Sequence, residues 1–432
     1  MKDIFLIKGQ HGKRALVGEL PVFGAKNAVL PAFASAILFD EPILFENVPF
    51  IQDVQSSVEI IKNLGGKIER KGYHEWRIDA SVLTSKILDH ELSKKMRAST
   101  VFIGPLLARY GEVVLPHPGG CVLGERPVDM FISAFEKMGA TVTFDSEIYT
   151  FKTNGKKLHG AEIFLRVPSH TVTETVMMAA TLAEGTTVIK NAAMEPEIGN
   201  VAEFLISCGA KITGVGSPTL TIVGGGILKA GKKSFKTIPD RIEAGSFLIL
   251  AALAGEDITI KNCNPMHLES LIATFERSGL HMNITKDSIH VKYSRDAKNS
   301  NFHGTSVTTH EYPGFPTDLQ APLTVFLTQV TGESSVFETI FDGRLNYADD
   351  LVKMGAKLNV WSKHTMTIKG PAILKGRELD GPDIRAGLAY ILAAIVAKGR
   401  SVINNVHYVD RGYERIEERL KAVGVDIERV SN

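Results

Sequence analysis

The chain has 432 residues, of which 44% are hydrophobic and 22% charged, and its 49 basic and 48 acidic residues leave a formal net charge of +1. These values are typical of a soluble globular protein with room for two or three domains. No global charge points to nucleic acid or to an anionic membrane, so any anion site must come from local clustering.

Apolar runs along the chain are short. The first ten residues, MKDIFLIKGQ, hold too short a run for a signal peptide. Runs such as FLILAALAG and AYILAAIVA reach about nine residues, against about 20 for a membrane-spanning helix. We therefore expect a cytoplasmic protein.

Six segments along the chain share one pattern, an amphipathic helix that ends at a glycine and is followed by a strand. They are VEIIKNLGGKIE, ISAFEKMGATVTF, AEFLISCGAKIT, IATFERSGLHMNI, ADDLVKMGAKLNV and EERLKAVGVDIERV. Glycine allows the left-handed backbone that commonly ends a helix before the chain turns into a strand. The glycines are Gly65, Gly139, Gly209, Gly279, Gly355 and Gly424, spaced by 74, 70, 70, 76 and 69 residues.

An Ala- and Leu-rich helix precedes each amphipathic one, as in TVMMAATLAEGTTVIKNAA, GSFLILAALAGEDITIKNCN and LAYILAAIVAKGRSVINNV. These helices are apolar on most faces, so we expect them to be buried and the amphipathic helices to lie at the surface. Each unit then has the order β-α-β-α-β-β. Six units exceed one core, which favours two domains of three units over a solenoid or a TIM barrel.

The buried helices begin with similar signals, VPSHT, IPDRIEAGS, FPTDLQ and GPDIRAG. Proline near Ser, Asp or Thr is typical of a helix start, and Asp240 and Glu243 have capping-box spacing. If the units are related by pseudo-symmetry, these helix starts converge and favour anions.

Charged residues recur near the helix starts. They are Lys26 in FGAKNAVLP, Arg97 in KKMRAST, Arg126 and Asp129 beside a cysteine, Asp318 in YPGFPTDLQ, Arg344 in FDGRLNY, Arg385 in PDIRAGLA and Arg411 in VDRGYERIEE. Most such side chains are solvated surface groups, and Asp318 and Asp383 could be helix caps. Lys26, Arg97 and Arg385, however, adjoin apolar helices where an unpaired charge is expensive, so a shared anionic ligand would explain them.

The three cysteines, an odd and sparse number, favour free thiols in a reducing compartment, and no CxxC or HxxxH spacing predicts zinc. Cys208 and Cys263 have apolar surroundings and are predicted to be core residues. Cys121 in HPGGCVLGERPVDM is different, because two glycines precede it and a charged run follows. A buried filler, a disulfide, a metal ligand and a reactive loop thiol all remain open for it on the residues alone.

The chain resembles the enolpyruvyl transferases over nearly its whole length. The matching segments are GAKNAVLPAFASAIL, MRAST, GGCVLGERPVD, MMAATLAEGTT, EPEI, PDRIEAGSF, FPTDLQAP, DIRAG and DRGYERIE. The resemblance implies an α/β fold of two inside-out α/β barrels, each with three βαβαββ repeats. Residues 1–25 with 239–432 would form one domain, 26–238 would form the other with the Cys121 loop, and the substrates would bind between them.

The resemblance also implies an activity. The enolpyruvyl group of phosphoenolpyruvate would pass to the 3′-hydroxyl of UDP-N-acetylglucosamine through a tetrahedral ketal with release of phosphate, the first committed step of peptidoglycan synthesis. No metal or organic cofactor, nucleic acid or membrane partner is implied. The oligomeric state stays open, and a monomer is compatible with the sequence.

Residue by residue, the resemblance assigns roles. Cys121 would donate a proton to C3 and could add covalently to phosphoenolpyruvate, which makes it a reactive lid thiol that fosfomycin should alkylate, and Asp318 would take the proton of the hydroxyl. Lys26, Arg126 and Arg411 would bind the phosphate, with Lys26 and Arg411 also catalytic. Arg344 and Arg385 would bind the carboxylate, beside Asn27. The expected UDP-sugar residues are Asn27, Arg97, Arg126, Pro127, Val128, Asp129, Met130, Ser169, His170, Asp318 and Ile340.

One segment departs from the family pattern. The family usually has PSVGATEN before MMAA, whereas this chain has PSHTVTET from Pro168 to Thr175. His170 and Thr171 therefore replace a Val-Gly pair that helps to shape the uridine site, which keeps another nucleotide such as UMP open as acceptor. A shikimate-pathway transferase lacks the cysteine loop, and a non-catalytic UDP-sugar-binding paralogue would not need both the acid and the base.

Overall fold

A computed structural model describes residues 3–117, 128–293 and 302–431. The chain forms two compact units: one combines residues 3–23 with 239–431, and the other spans 24–117 and 128–238. Among the described residues, no helix is both long enough and apolar enough to cross a membrane.

The strands are short and recur along the whole chain. They are β1 (Asp3–Lys8), β2 (Leu16–Pro21), β3 (Ile43–Glu46), β4 (Lys67–Gly72), β5 (Glu75–Asp79), β6 (Glu112–Pro116), β7 (Thr141–Asp145), β8 (Ile148–Lys152), β9 (Glu162–Phe164), β10 (Thr186–Lys190), β11 (Lys211–Thr213), β12 (Thr219–Val223), β13 (Ser234–Lys236), β14 (Gly255–Lys261), β15 (Asn283–Ile284), β16 (Ser288–Lys292), β17 (Ser306–Thr308), β18 (Gly332–Phe337), β19 (Lys357–Val360), β20 (Thr365–Gly370), β21 (Glu378–Asp380), β22 (Arg400–Asn404) and β23 (Asp426–Ser431).

Helices alternate with these strands. They are α1 (Lys26–Ser35), α2 (Gln52–Asn63), α3 (His90–Lys95), α4 (Ile103–Tyr110), α5 (Asp129–Lys137), α6 (His170–Ala180), α7 (Pro196–Ser207), α8 (Arg241–Ala254), α9 (Glu269–Arg277), α10 (Gln320–Leu327), α11 (Ala348–Met354), α12 (Ile384–Val396) and α13 (Ile416–Ala422). Short 3₁₀ helices cover Ala36–Leu38, Arg97–Phe102, Pro265–Leu268, Thr317–Leu319 and Val406–Arg411.

One sheet per repeat gives six sheets within the described residues, three in each unit. In the third repeat, β9 runs parallel to β10, while β12 lies antiparallel between β10 and β11. The other repeats follow the same order, which confirms the β-α-β-α-β-β unit. Two sheets are completed by distant strands: β13 pairs in parallel with β3, and β1 lies between β22 and β23.

The apolar helices lie inside and the sheets outside. In the unit that contains residues 239–431, α8, α10 and α12 pack against one another, and nearly all their residues are buried. This confirms the predicted inside-out α/β arrangement. The six repeat glycines all have left-handed backbone, with φ from 90° to 110°, so each ends its surface helix as predicted.

Two local predictions can be compared with the contacts. Cys208 and Cys263 are buried free thiols, as expected. The capping box is half formed: Asp240 accepts from the backbone nitrogens of Ile242 and Glu243, at 2.8 and 3.0 Å. Glu243 does not return the bond, because Phe23 N and the Arg419 guanidinium donate to its carboxylate. Glu243 therefore ties strands and helices together instead of closing the cap.

Candidate active site

Asp318 and two arginines form the centre of a polar cluster in the unit that contains residues 239–431. Asp318 lies in the 3₁₀ turn before α10. Arg344 donates from Nη2 to its Oδ1 at 2.6 Å, and Arg385 donates from Nη2 to its Oδ2 at 2.7 Å. The arginine side chains are 3% and 7% exposed, and that of Asp318 is 25% exposed. Each carboxylate oxygen thus has its own guanidinium, with one side of the carboxylate open.

Arg344 is held from a second direction. Its Nε donates to the Thr317 hydroxyl at 3.1 Å, and that hydroxyl donates to the fully buried Glu338 carboxylate. Glu338 also accepts from the backbone nitrogen of Ile340 at 2.9 Å. A buried carboxylate with several donors is a rigid anchor, so the turn that carries Ile340 and Arg344 has a defined position.

Arg385 sits in the first turn of α12, which Asp383 caps by accepting from Arg385 N and Ala386 N. Its Nη1 donates to the Tyr413 hydroxyl at 3.1 Å, and that hydroxyl lies 3.0 Å from Ser246 Oγ on α8. Burial by itself lowers the pKa of Arg385, but the charge of Asp318 reverses this and holds the pKa above its ordinary value. Burial raises the pKa of Tyr413.

These contacts confirm one prediction in this unit, the convergence of helix starts. Asp318 at the start of α10 meets Arg385 at the start of α12, and Tyr413 links α12 to α8. Asp383 is a helix cap, as the alternative interpretation held, whereas Asp318 is not and pairs with arginines instead. Arg411 is the last residue of the 3₁₀ helix Val406–Arg411, two residues before Tyr413.

The other unit holds a second set of predicted residues. Lys26 is the first residue of α1, and its Nζ lies 2.8 Å from Oδ2 of the buried Asp53. Asn27 follows it and is partly buried, and Arg97 begins the 3₁₀ helix Arg97–Phe102. This short helix packs against both α1 and α6. Lys26, Arg97 and His170 therefore lie on neighbouring elements.

The departing segment forms the start of α6. Ser169 caps the helix by accepting from Val172 N, and His170 Nδ1 lies 3.3 Å from Oε2 of Glu174 one turn later. Glu174 is 1% exposed. Its pKa is raised well above the ordinary value, first by burial and then by the charges of Glu197 and Glu195. His170 is thus committed to a buried acidic cluster rather than free in a loop.

The remaining predicted residues lie around the cysteine segment. Val128 is buried, Asp129 begins α5 with its carboxylate 2.9 Å from Arg166, and Met130 packs against the core. Cys121, Arg126 and Pro127 lie outside the described residues.

Sequence reasoning missed four residues of these clusters: Asp53, Glu174, Glu338 and Tyr413. Tyr413 and Glu174 stand inside the matching and departing segments, so an acidic or phenolic group within a motif was the available signal. Asp53 and Glu338 gave no such signal, because their role depends on burial beside a cation or a turn from elsewhere in the chain.

Known proteins resemble this chain over its full length. Residues 10–420 match the family model for EPSP synthase (3-phosphoshikimate 1-carboxyvinyltransferase). A relative from Koribacter versatilis is 40% identical over 99% of this chain and 96% of its own, and one from Prochlorococcus marinus is 42% identical over 97% and 90%. Both are named UDP-N-acetylglucosamine 1-carboxyvinyltransferase.

Solved structures share the fold. The enolpyruvyl transferase NikO from Streptomyces tendae superposes with a TM-score of 0.88 at 22% identity, covering 100% of this chain and 99% of its own. An EPSP synthase from Acinetobacter baumannii gives a TM-score of 0.75 at 18% identity, with 100% coverage of both chains. At these identities the likeness establishes the fold.

Proposed function

Because the chain belongs to the enolpyruvyl transferase family, and is therefore an enzyme, we propose that it transfers the enolpyruvyl group of phosphoenolpyruvate to UDP-N-acetylglucosamine. Relatives with that printed name cover nearly the whole chain at about 40% identity. The product ether would serve peptidoglycan synthesis in the cytoplasm.

The reaction adds and then eliminates across one double bond. The 3′-hydroxyl oxygen of the sugar bonds to C2 of phosphoenolpyruvate, its proton passes to a base, and an acid protonates C3. The resulting ketal then loses phosphate from C2 and a proton from C3, which restores the double bond. The protein must therefore bind two anionic groups and supply one acid and one base.

The observation that carries this proposal is the pairing of Asp318 with two buried guanidiniums. Planar guanidinium groups suit a carboxylate or phosphate bidentately. In the described cluster Arg344 and Arg385 spend this capacity on Asp318. We propose that the carboxylate of phosphoenolpyruvate competes for the same donors and so releases an Asp318 oxygen to accept the hydroxyl proton.

The other groups complete the proposed assignment. Lys26, Arg126 and Arg411 bind the phosphate, and Cys121 protonates C3. Since Lys26 and Cys121 belong to one part of the chain and Asp318 to the other, this assignment requires both units to act on the same substrates. Asn27, Arg97, the run from Arg126 to Met130, Ser169, His170 and Ile340 are proposed for the UDP-sugar.

The acceptor nucleotide can be tested directly. His170 is held by Glu174 at the start of α6, where the family pattern has valine, so UMP is the second candidate acceptor. We would measure phosphate release from phosphoenolpyruvate with UDP-N-acetylglucosamine, UMP or shikimate 3-phosphate. Turnover with the UDP-sugar alone supports the proposal, and turnover only with UMP or shikimate 3-phosphate overturns it.

A further inference from the structure

Arg429 on β23 engages three carboxylates at once. Its Nε donates to Glu417 at 2.7 Å, and its Nη2 donates to both Asp410 and Glu417, at 2.6 and 3.2 Å. Its Nη1 donates to Asp410 at 2.9 Å and to Asp3 at 3.2 Å. All five N–H donors of the guanidinium are therefore used. The side chain lies over the Phe5 ring, at 4.8 Å from the ring centroid.

Two of these carboxylates stand at the ends of one segment. Asp410 is near the end of the 3₁₀ helix Val406–Arg411, and Glu417 is in the first turn of α13. Residues 410–417 run between them, and the Arg429 guanidinium closes this segment by holding both ends. The charge of Asp410 and the hydrogen bonds to it and to Glu417 keep the pKa of Arg429 above its ordinary value, so the clamp stays charged.

The clamped segment reaches the Asp318 cluster. Tyr413, within it, accepts from Arg385 Nη1 at 3.1 Å. A Cβ atom at Gly412 would lie 3.1 Å from Cγ2 of Ile384 and 3.7 Å from Nη1 of Arg385, so the segment lies directly against the first turn of α12. The same segment carries Arg411.

We propose that Arg429 is a positioning residue for enolpyruvyl transfer. By fixing Asp410 and Glu417 it sets the placement of Arg411 and, through Tyr413, the orientation of the Arg385 guanidinium. The kinetic part of this inference rests on the proposed function, whereas the clamping of residues 410–417 does not. Lysine cannot replace Arg429 here, since an ammonium offers three donors and no planar fork.

The test uses the full-length Arg429→Lys protein. We expect kcat/KM for phosphoenolpyruvate to fall about ten- to a hundredfold, through a higher KM for phosphoenolpyruvate with the KM for the UDP-sugar unchanged. Hydrogen exchange of the 410–417 amides, measured without substrates, should become faster. Asp410→Asn/Glu417→Gln, which keeps Arg429 and removes the charges it holds, should raise the same KM.

Two matched controls separate positioning from general stability. Asp3→Asn removes one contact of Arg429 but leaves both ends of the segment held, and Arg377→Lys makes the same substitution at an exposed site of the same unit. Both should leave the KM and the exchange rates unchanged. If Asp3→Asn and Arg429→Lys behave alike, the cluster only ties β1 to β23 and the inference is overturned.

Further outcomes keep the two proposals apart. If Arg429→Lys does not fold, the double amide variant decides, and an unchanged KM for phosphoenolpyruvate in it rejects the inference. If the unaltered enzyme releases no phosphate from either acceptor, the proposed function fails, while the exchange rates still decide whether Arg429 holds the segment.

Discussion

Asp318 and Arg385 form an ion pair in which Oδ2 of the carboxylate lies 2.7 Å from Nη2 of a guanidinium that is 7% exposed. Arginine does not lose its proton in a protein, so this pair persists until another anion takes the place of the carboxylate. A base that is blocked before the substrate binds and released by it would protect the enzyme from unproductive proton transfer.

Replacement of Asp318 by asparagine should separate turnover from binding. Asp318→Asn keeps the size of the side chain but removes the base and the anion that competes for Arg344 and Arg385. We expect kcat to fall by at least about 10²-fold, while the KM for phosphoenolpyruvate stays constant or decreases. Steady-state kinetics of phosphate release would show this, and an intact kcat would contradict the role of Asp318 as base.

Replacement of Arg385 should have the opposite signature. Arg385→Lys loses the planar fork and leaves the Tyr413 hydroxyl and one Asp318 oxygen without their donor. Breaking a buried charged hydrogen bond costs about 2 kcal/mol or more, so affinity for phosphoenolpyruvate should fall at least about 30-fold. Calorimetric titration measures it, with Arg377→Lys as the exposed control. Equal affinity in both variants would place the carboxylate elsewhere.

Fosfomycin should alkylate Cys121 alone. The thiolate opens the epoxide and forms a carbon–sulfur bond, so mass spectrometry with the UDP-sugar present should find one adduct on the peptide that contains Cys121, and none in Cys121→Asp. Cys208 and Cys263 are internal controls: both are buried, and burial raises the pKa of Cys263 to about 11, which leaves little thiolate. An unmodified Cys121 would refute its role as the reactive acid.

Glu174 should make stability depend on pH. Its pKa in the folded protein is above the ordinary value of 4.5, through burial and the charges of Glu197 and Glu195, and its one described ring partner is His170. For a raised pKa, the stabilisation is complete below the unfolded value and is lost as pH rises through the folded one.

Glu174→Gln removes this titration. The melting temperature of the variant relative to the unaltered protein should therefore increase between about pH 5 and pH 8, by at most about 1.4 kcal/mol in unfolding free energy for each pH unit. Glu162→Gln, an exposed carboxylate paired with Lys190 in the same unit, should show no such trend. A parallel pH dependence of both variants would contradict the buried acid.

The repeat architecture was predictable because it rests on local chemistry. A glycine at each helix end and apolar helices between strands specify the β-α-β-α-β-β unit without reference to the rest of the chain. Register between distant strands is not encoded locally, so the pairing of the three-residue β13 with β3 had no signal of its own. The same limit applies to Glu243, whose spacing predicted a cap but whose partners, Phe23 and Arg419, come from far along the chain.

The candidate site divides in the same way. Arg385 and Asp318 stood out because charge beside apolar helices demands a partner. Their partners Tyr413 and Glu338 were not identified, since a buried hydroxyl or carboxylate is recognisable only when the groups around it are known. His170 shows the converse case: the change from the family pattern was visible, but its pairing with Glu174 needed coordinates.

The position of β1 between β22 and β23 has a consequence for biosynthesis. At about 5–20 residues per second, this strand leaves the ribosome about 20 to 80 s before either of its neighbours. The stretch from β3 to β13, in contrast, contains all the strands of its own three sheets and can finish folding while the remainder is being translated. The nascent chain therefore carries an unsatisfied edge at its beginning for most of its synthesis, which makes that leading segment a natural client for a chaperone.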